Sequence, residues 1–192
     1  MKLMAFALAS SVLVGFGLRG RLSNLGRMRL HWMGLALIGA ALQFVTGPGS
    51  VFPLACLYVS FVLLTIFAIK NIKIAGFAVI LVGIALNFLV IGLNAGMPVS
   101  VHALRTSGQG QFLHDLKHDP YPKHHVATSD DTMAFLGDVI PVPPPIAQVI
   151  SIGDLFTYAG VVVVIAAGMR DPSGRREEED TAKVREVQHA GG

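Results

Sequence analysis

"IKIAGFAVILVGIALNFLVIGL", residues 72–93, is the stretch whose reading decides the fold. After Lys73, its one strongly polar side chain is Asn87. A helix rises about 1.5 Å per residue, so about 20 apolar residues cross a hydrocarbon layer of about 30 Å, and this run is long enough to cross at a tilt. Gly76, Gly83 and Asn87, with Asn94 just beyond, recur at seven- and four-residue intervals, which brings them to one helix face. Small residues let helix backbones approach and amides bond across the contact, so the expected role of this face is packing, with Gln43 as the candidate partner. The three amides Gln43, Asn87 and Asn94 are also the candidate lining of a polar cavity or ligand site open to the outer side.

Working outward, four more apolar segments approach spanning length: Leu3–Leu18, Leu30–Thr46, Val51–Ile69 and Ser151–Met169. The first two are short and would stand nearly upright. The first runs directly into "LRGRLSNLGRMRL" with no small-residue cleavage site, so it is expected to stay as a helix. The expected fold is therefore all-α, a polytopic membrane helix bundle of five transmembrane helices with a folded external loop between helices 4 and 5. Residues 1–93 form the four-helix membrane region, 94–150 the external loop with short helices, 151–169 the fifth helix, and 170–192 a polar, largely disordered cytoplasmic tail.

Charge supports a membrane class. Hydrophobic residues make up 53% of the chain and charged residues 14%, against about 25% charged in ordinary soluble domains. All twelve acids lie after residue 114, and the basic residues of the first hundred positions sit at segment ends and breaks. Such loop charge gives no nucleic-acid surface. Grouping the Arg19–Arg29 loop, the Lys70–Lys73 turn and the Arg170 tail on one side collects eleven of the fifteen basic residues. The positive-inside rule then puts the N-terminus outside and the C-terminus in the cytoplasm of a multi-pass protein of the cell (inner) membrane. Arg27, Arg29, His31 and Trp32 form an anchor at the inner interface. One cysteine, Cys56, allows no internal disulfide.

The loop carries the chemistry-bearing side chains. Ser100 is placed to cap a short helix through Leu104, and Phe112, Leu113 and Leu116 give "QFLHDLKHD" an amphipathic face. His114 and His118 share a helix face and His124 follows a Pro-Tyr-Pro turn, so the three are the candidate metal ligands beside a reading as solvated imidazoles. No cofactor is expected. Two carboxylates stand apart from these: Asp138 in "AFLGDVIPVPPP", after a short helix expected from about Asp130, and Asp154 in "SIGD". Pro141–Pro145 should run extended as a strap back to the membrane. Ser151 and Asp154 have capping-box spacing, whereas Asp138 and Asp154 together would make a catalytic dyad sharing a proton and activating water.

Arg29–Trp32, "NAGMPVS" at 94–100, "LGDVIPVP" at 136–143 and "SIGD" at 151–154 resemble a family of small bacterial integral-membrane proteins of unknown function. That resemblance implies a bacterial membrane location and no particular activity. "SIGDLFTYAGVVVVI" is similar, much more loosely, to the last helix of lipoprotein signal peptidase, with Asp138 in the place of the first aspartate; "GDVIP" lacks that family's Asn and Arg neighbours. The function expected first is a non-catalytic binding or accessory protein using its external loop. Its partners are the lipid bilayer and a membrane protein or lipid. An intramembrane aspartyl hydrolase is second, and a metal-binding or small-solute transport protein third.

Overall fold

The computed structural model describes residues 2–45, 51–118 and 123–170, and of Asp115 and His118 the backbone alone. The polar tail expected from residue 170 lies, after its first residue, outside the described residues. The chain is mostly helical. Helix α1 spans Lys2–Gly17, α2 Leu22–Leu25, α3 Met33–Leu42, α4 Val51–Lys70 and α5 Phe77–Asn94. After the loop helices α6 (Val101–Thr106) and α7 (Phe112–His118), the described chain ends in α8, Ile152–Arg170.

All five expected segments contain a helix, yet among the described residues only α4, α5 and α8 are long and apolar enough to cross a membrane; α1 has 16 residues and α3 has 10. The start of α3 is delayed for a local reason. Buried Asn71, just after α4, accepts the His31 amide at 2.8 Å and donates to the His31 carbonyl at 2.9 Å, which holds Leu30–Trp32 in a turn. Trp32 then enters α3 at a positive φ of 60°, exposed, with the Lys70 ammonium 4.8 Å above its ring. Helix α5 likewise starts at Phe77 and not at Ile72, because Gly76 turns the chain at φ 96°.

The main contacts run α3–α4–α5–α8–α1, an arc of helices in which α1 and α3 barely touch. Its tightest crossing is α5 on α8. A Cβ on Gly83 would lie 2.5 Å from the Gly153 carbonyl, and one on Gly160 would lie 2.8 Å from the Gly76 carbonyl, so glycine on both helices permits this approach. The α5 face expected to pack does so, but against α8. On α3, Gly39 makes the close approach, with Ser60 Oγ of α4 donating to its carbonyl at 2.7 Å, while Ala36 and Ala40 face a cavity.

One end of the arc is basic. The Arg21 amide and the Asn24 side chain both bond to the Met169 carbonyl at the end of α8, and the Asn71–His31 bonds join the neighbouring turns there. At the opposite end the segment between α5 and α8 folds over the helices. Buried strand β1 (Met97–Val99) pairs in parallel with β2 (His124–Val126), and Val99 also bridges Asp138. Ser100 caps α6 as expected, accepting the Ala103 amide at 3.3 Å. A 3-10 turn at Ala134–Leu136, led by Met133, stands where a helix from Asp130 was expected. The proline run is no strap: β3 (Ile140–Val142) returns antiparallel as β4 (Gln148–Ile150), a hairpin that turns within Pro143–Ala147. Four strands of three residues among the described residues thus qualify the all-α expectation.

Candidate functional site

The arc borders a half-open cavity of about 650 Å³, reached by side chains of α1, α3, α4, α5, α8 and the loop. Its body is apolar, walled by residues such as Leu57, Phe61, Leu64, Ile80, Ile84 and Val161. Its polar groups belong to the loop end. Gln43 follows α3, Asn87 lies in the last turns of α5, Asp154 and Tyr158 in the first turns of α8, and Lys123, His124, Asp138 and Gln148 in the loop.

Asp154 is held in a closed ring of hydrogen bonds. Its amide donates to Ser151 Oγ at 2.9 Å while the Ser151 amide donates to Asp154 Oδ2 at 3.1 Å, the capping box expected from the spacing. Asn87 Nδ2 donates to Asp154 Oδ1 at 2.9 Å, and Ser151 Oγ donates to Asn87 Oδ1 at 2.8 Å. The cap of α8 is therefore also the α5–α8 cross-link. It fixes the Asp154 carboxyl at the cavity wall through neutral donors, with no cation in contact among the described residues.

Asp138 is positioned by its backbone and left open at its carboxyl. Its amide donates to the Pro98 carbonyl and its carbonyl accepts from the Ser100 amide, both at 2.9 Å. Gly137 makes this possible, since a Cβ there would run into the Pro98 carbonyl. Among the described residues no hydrogen bond reaches the carboxyl, and His124 Nε2 stands 3.8 Å from Oδ2, beyond bonding distance. Burial pushes the Asp138 carboxyl well above the usual carboxylate range, and the Asp154 charge adds to the rise. Lys123 Nζ is committed elsewhere: it donates to the Gln43 carbonyl at 2.7 Å and the Val45 carbonyl at 2.5 Å, capping the C-terminal end of α3.

Of the residues singled out from sequence, Gln43, Asn87, His124, Asp138 and Asp154 line this one cavity. The expected Gln43–Asn87 bond is replaced by the Asn87–Ser151–Asp154 ring. Asn94 faces the loop, donating to the Val90 and Thr132 carbonyls and accepting the Thr132 amide. His114 is exposed on α7 and the His118 side chain lies outside the described residues; among the described residues no three His, Cys, Asp or Glu side chains group as metal ligands. Sequence reasoning missed Lys123, Gln148 and Tyr158, which carry no motif. A second cavity of about 350 Å³ lies within the loop layer, bounded by Val99, Leu104, Gln109, Phe112 and Leu116, and it shares His124, Asp138 and Val149 with the first.

A helical arc with three helices fit to cross a membrane, a folded loop layer at one end and an amphipathic cavity beneath it defines the class, a small membrane-type helical protein. Within that class the chain belongs to DUF5317, a family of unknown function whose pattern matches residues 27–166. An uncharacterized protein of Thermotoga maritima is 31% identical over 149 residues, covering 76% of this chain and 80% of its own. No solved structure matches the chain.

Proposed function

We propose that the protein is a non-catalytic, multi-pass binding protein of a bacterial inner membrane, in which α1, α3, α4, α5 and α8 cross or line the bilayer with the N-terminus outside, and that its ligand is an amphiphile held in the arc. The observation that carries this reading is the division of the 650 Å³ cavity into an apolar body and a polar mouth under the loop layer. Such a division fits one apolar chain with its head at the mouth, since an apolar wall with a few convergent polar groups is the general form of a ligand site. The gathering of Arg21, Arg27, Arg29, Lys70 and Arg170 near the opposite end supports the orientation, because basic residues concentrate on the cytoplasmic side. Native mass spectrometry of the protein in lipid nanodiscs tests the reading. A retained amphiphile is expected on the wild type and lost from Ala40→Trp, which fills the cavity from α3. Absence of any bound species, or equal retention by the variant, overturns it.

A second reading, an aspartyl hydrolase, is favoured by one observation: Asp138 and Asp154 line the same cavity, and the charge of Asp154 helps raise the proton affinity of Asp138. Two neighbouring carboxyls of which one has a raised proton affinity can act as an acid–base pair. Incubation of the purified protein with total membrane lipid decides it. Hydrolysis products abolished by Asp138→Asn would establish catalysis, and an unchanged lipid mass profile would exclude it.

A further inference from the structure

The bundle cavity is open on one side, and the exposure of its lining says which. Among the described residues, every lining side chain contributed by α4, α5 and α8 is buried or half-buried, Leu57, Phe61, Ile84 and Val164 among the buried ones. Met4 of α1 and Met33 and Ala40 of α3 line the same cavity and are exposed. Gln43 and His124, also exposed, mark its loop end. Helices α1 and α3 are the two ends of the arc and barely touch. The opening is therefore the gap between them. Met33, Ala36 and Ala40, three and four residues apart, follow one another along one face of α3, so the gap runs lengthwise.

At its polar end the loop layer bridges this gap. Lys123 Nζ ties the loop to the end of α3 through the Gln43 and Val45 carbonyls, and Gln148 Oε1 accepts the Leu3 amide at the start of α1 at 3.2 Å. Both side chains also line the cavity. Below the bridge the rim is apolar: Met4, Met33, Ala36 and Ala40 carry no polar group, and Phe6 of α1 and Leu37 and Ile38 of α3 add further exposed apolar surface. Such a border suits hydrocarbon and is costly against water.

Size decides the occupant. A helix with its side chains is about 10 Å across and fills about 80 Å³ per Å of length, so the cavity would hold only about one and a half turns of a partner's transmembrane helix. Its 650 Å³ lies instead in the range of small-molecule sites between helices, and a single narrow chain with a polar head matches its shape.

We propose that the gap between α1 and α3 is a lateral portal, through which a bilayer lipid of the loop-side leaflet slides an acyl chain into the cavity while its head group stays beneath Lys123 and Gln148. This rests on reading the cavity as an amphiphile site and adds the ligand class, a lipid of the bilayer itself and not a water-borne amphiphile, together with its route.

Tryptophan quenching in nanodiscs tests it. Trp32 is the chain's single tryptophan, and Trp32→Phe clears the background. Phe61→Trp and, separately, Phe67→Trp place a reporter on the inner wall of the cavity, and Phe6→Trp places one on the exposed face of α1. The probes are phosphatidylcholine with brominated acyl chains and, in the water, iodide. Brominated lipid is expected to quench the inner-wall reporters as strongly as Phe6→Trp, and iodide to leave them unquenched. Adding Ala36→Phe and Ala40→Phe, which fill the gap from α3, should abolish the inner-wall quenching; unchanged quenching of Phe6→Trp reports an intact fold. Inner-wall reporters that brominated lipid fails to quench, or whose quenching survives the two filling substitutions, overturn the portal even if native mass spectrometry finds a bound amphiphile. In that event quenching by iodide names a water-borne route, and a stable dimer in the mass spectrum names a second copy covering the gap. Portal-dependent lipid quenching without any retained amphiphile keeps the portal and removes the function proposed above.

Discussion

Asp138 and Asp131 sit in one loop layer and answer pH in opposite directions. An Asp titrates near 3.9 in the unfolded chain, and burial raises Asp138 well above that in the fold. Between the two values the native state keeps a proton that the unfolded chain has lost, so stability falls as pH rises; the contribution is complete below about pH 3.9 and lost above the raised value. Asp138→Asn should therefore match the wild type in thermal unfolding near pH 4 and exceed it increasingly toward pH 8. For Asp131, burial pushes upward, but the Thr128 amide and the His125 ring, bonded at 2.7 and 2.8 Å, hold the carboxyl below its ordinary value. Its contribution is present above about pH 3.9 and lost as pH falls through the lowered value, so Asp131→Asn should reduce the melting temperature at pH 7 and cease to matter in strong acid. Buried Asn71 is a purely structural counterpart. Asn71→Ala leaves the His31 amide and carbonyl without partners and should cost about 2–3 kcal/mol in denaturant unfolding.

At the scale of elements, the α5–α8 crossing is set by the absence of side chains. Alanine is a better helix former than glycine by about 1 kcal/mol, so a Gly→Ala change in a helix gains wherever there is room. At Gly92 nothing lies within 4 Å of an added Cβ, and Gly92→Ala should be neutral or stabilising. At Gly83 the obstacle is the Gly153 carbonyl at 2.5 Å, a backbone atom that cannot swing aside, so Gly83→Ala should destabilise by about 1–3 kcal/mol. Comparing the two variants by thermal unfolding in one detergent isolates the crossing. The spacing of Gly76, Gly83 and Asn87 made this face legible, because residues seven and four apart on a helix share a side wherever the helix packs. Its partner was not legible, since Gly153 and Gly160 lie about seventy residues away and nothing local to α5 selects α8 over α3. The strands were hidden for a different reason: three residues are too few to display alternation, and the prolines that suggested an extended strap form the tip of a hairpin.

For the molecule as a whole, the two ends of the arc differ in charge and in covering. With the N-terminus outside, Ser129→Cys in a Cys56→Ser background should react with a membrane-impermeant maleimide in intact cells, whereas a thiol placed at Arg27 should react only after permeabilisation; the reverse pattern would invert the orientation. By itself the sequence determined whatever depends on neighbours along the chain: the long apolar helices, whose character follows from length and composition, the Ser151–Asp154 cap, which follows from a three-residue spacing, and the asymmetry of basic loops. Only the tertiary structure decided that Gln43, Asn87, His124, Asp138 and Asp154 share one cavity while Asn94 turns to the loop, and that α3 stops at 10 residues. Those outcomes depend on contacts between residues tens of positions apart, such as Asn71 with His31 and Lys123 with the end of α3, whose energies are set by packing geometry and leave no local signature in the chain.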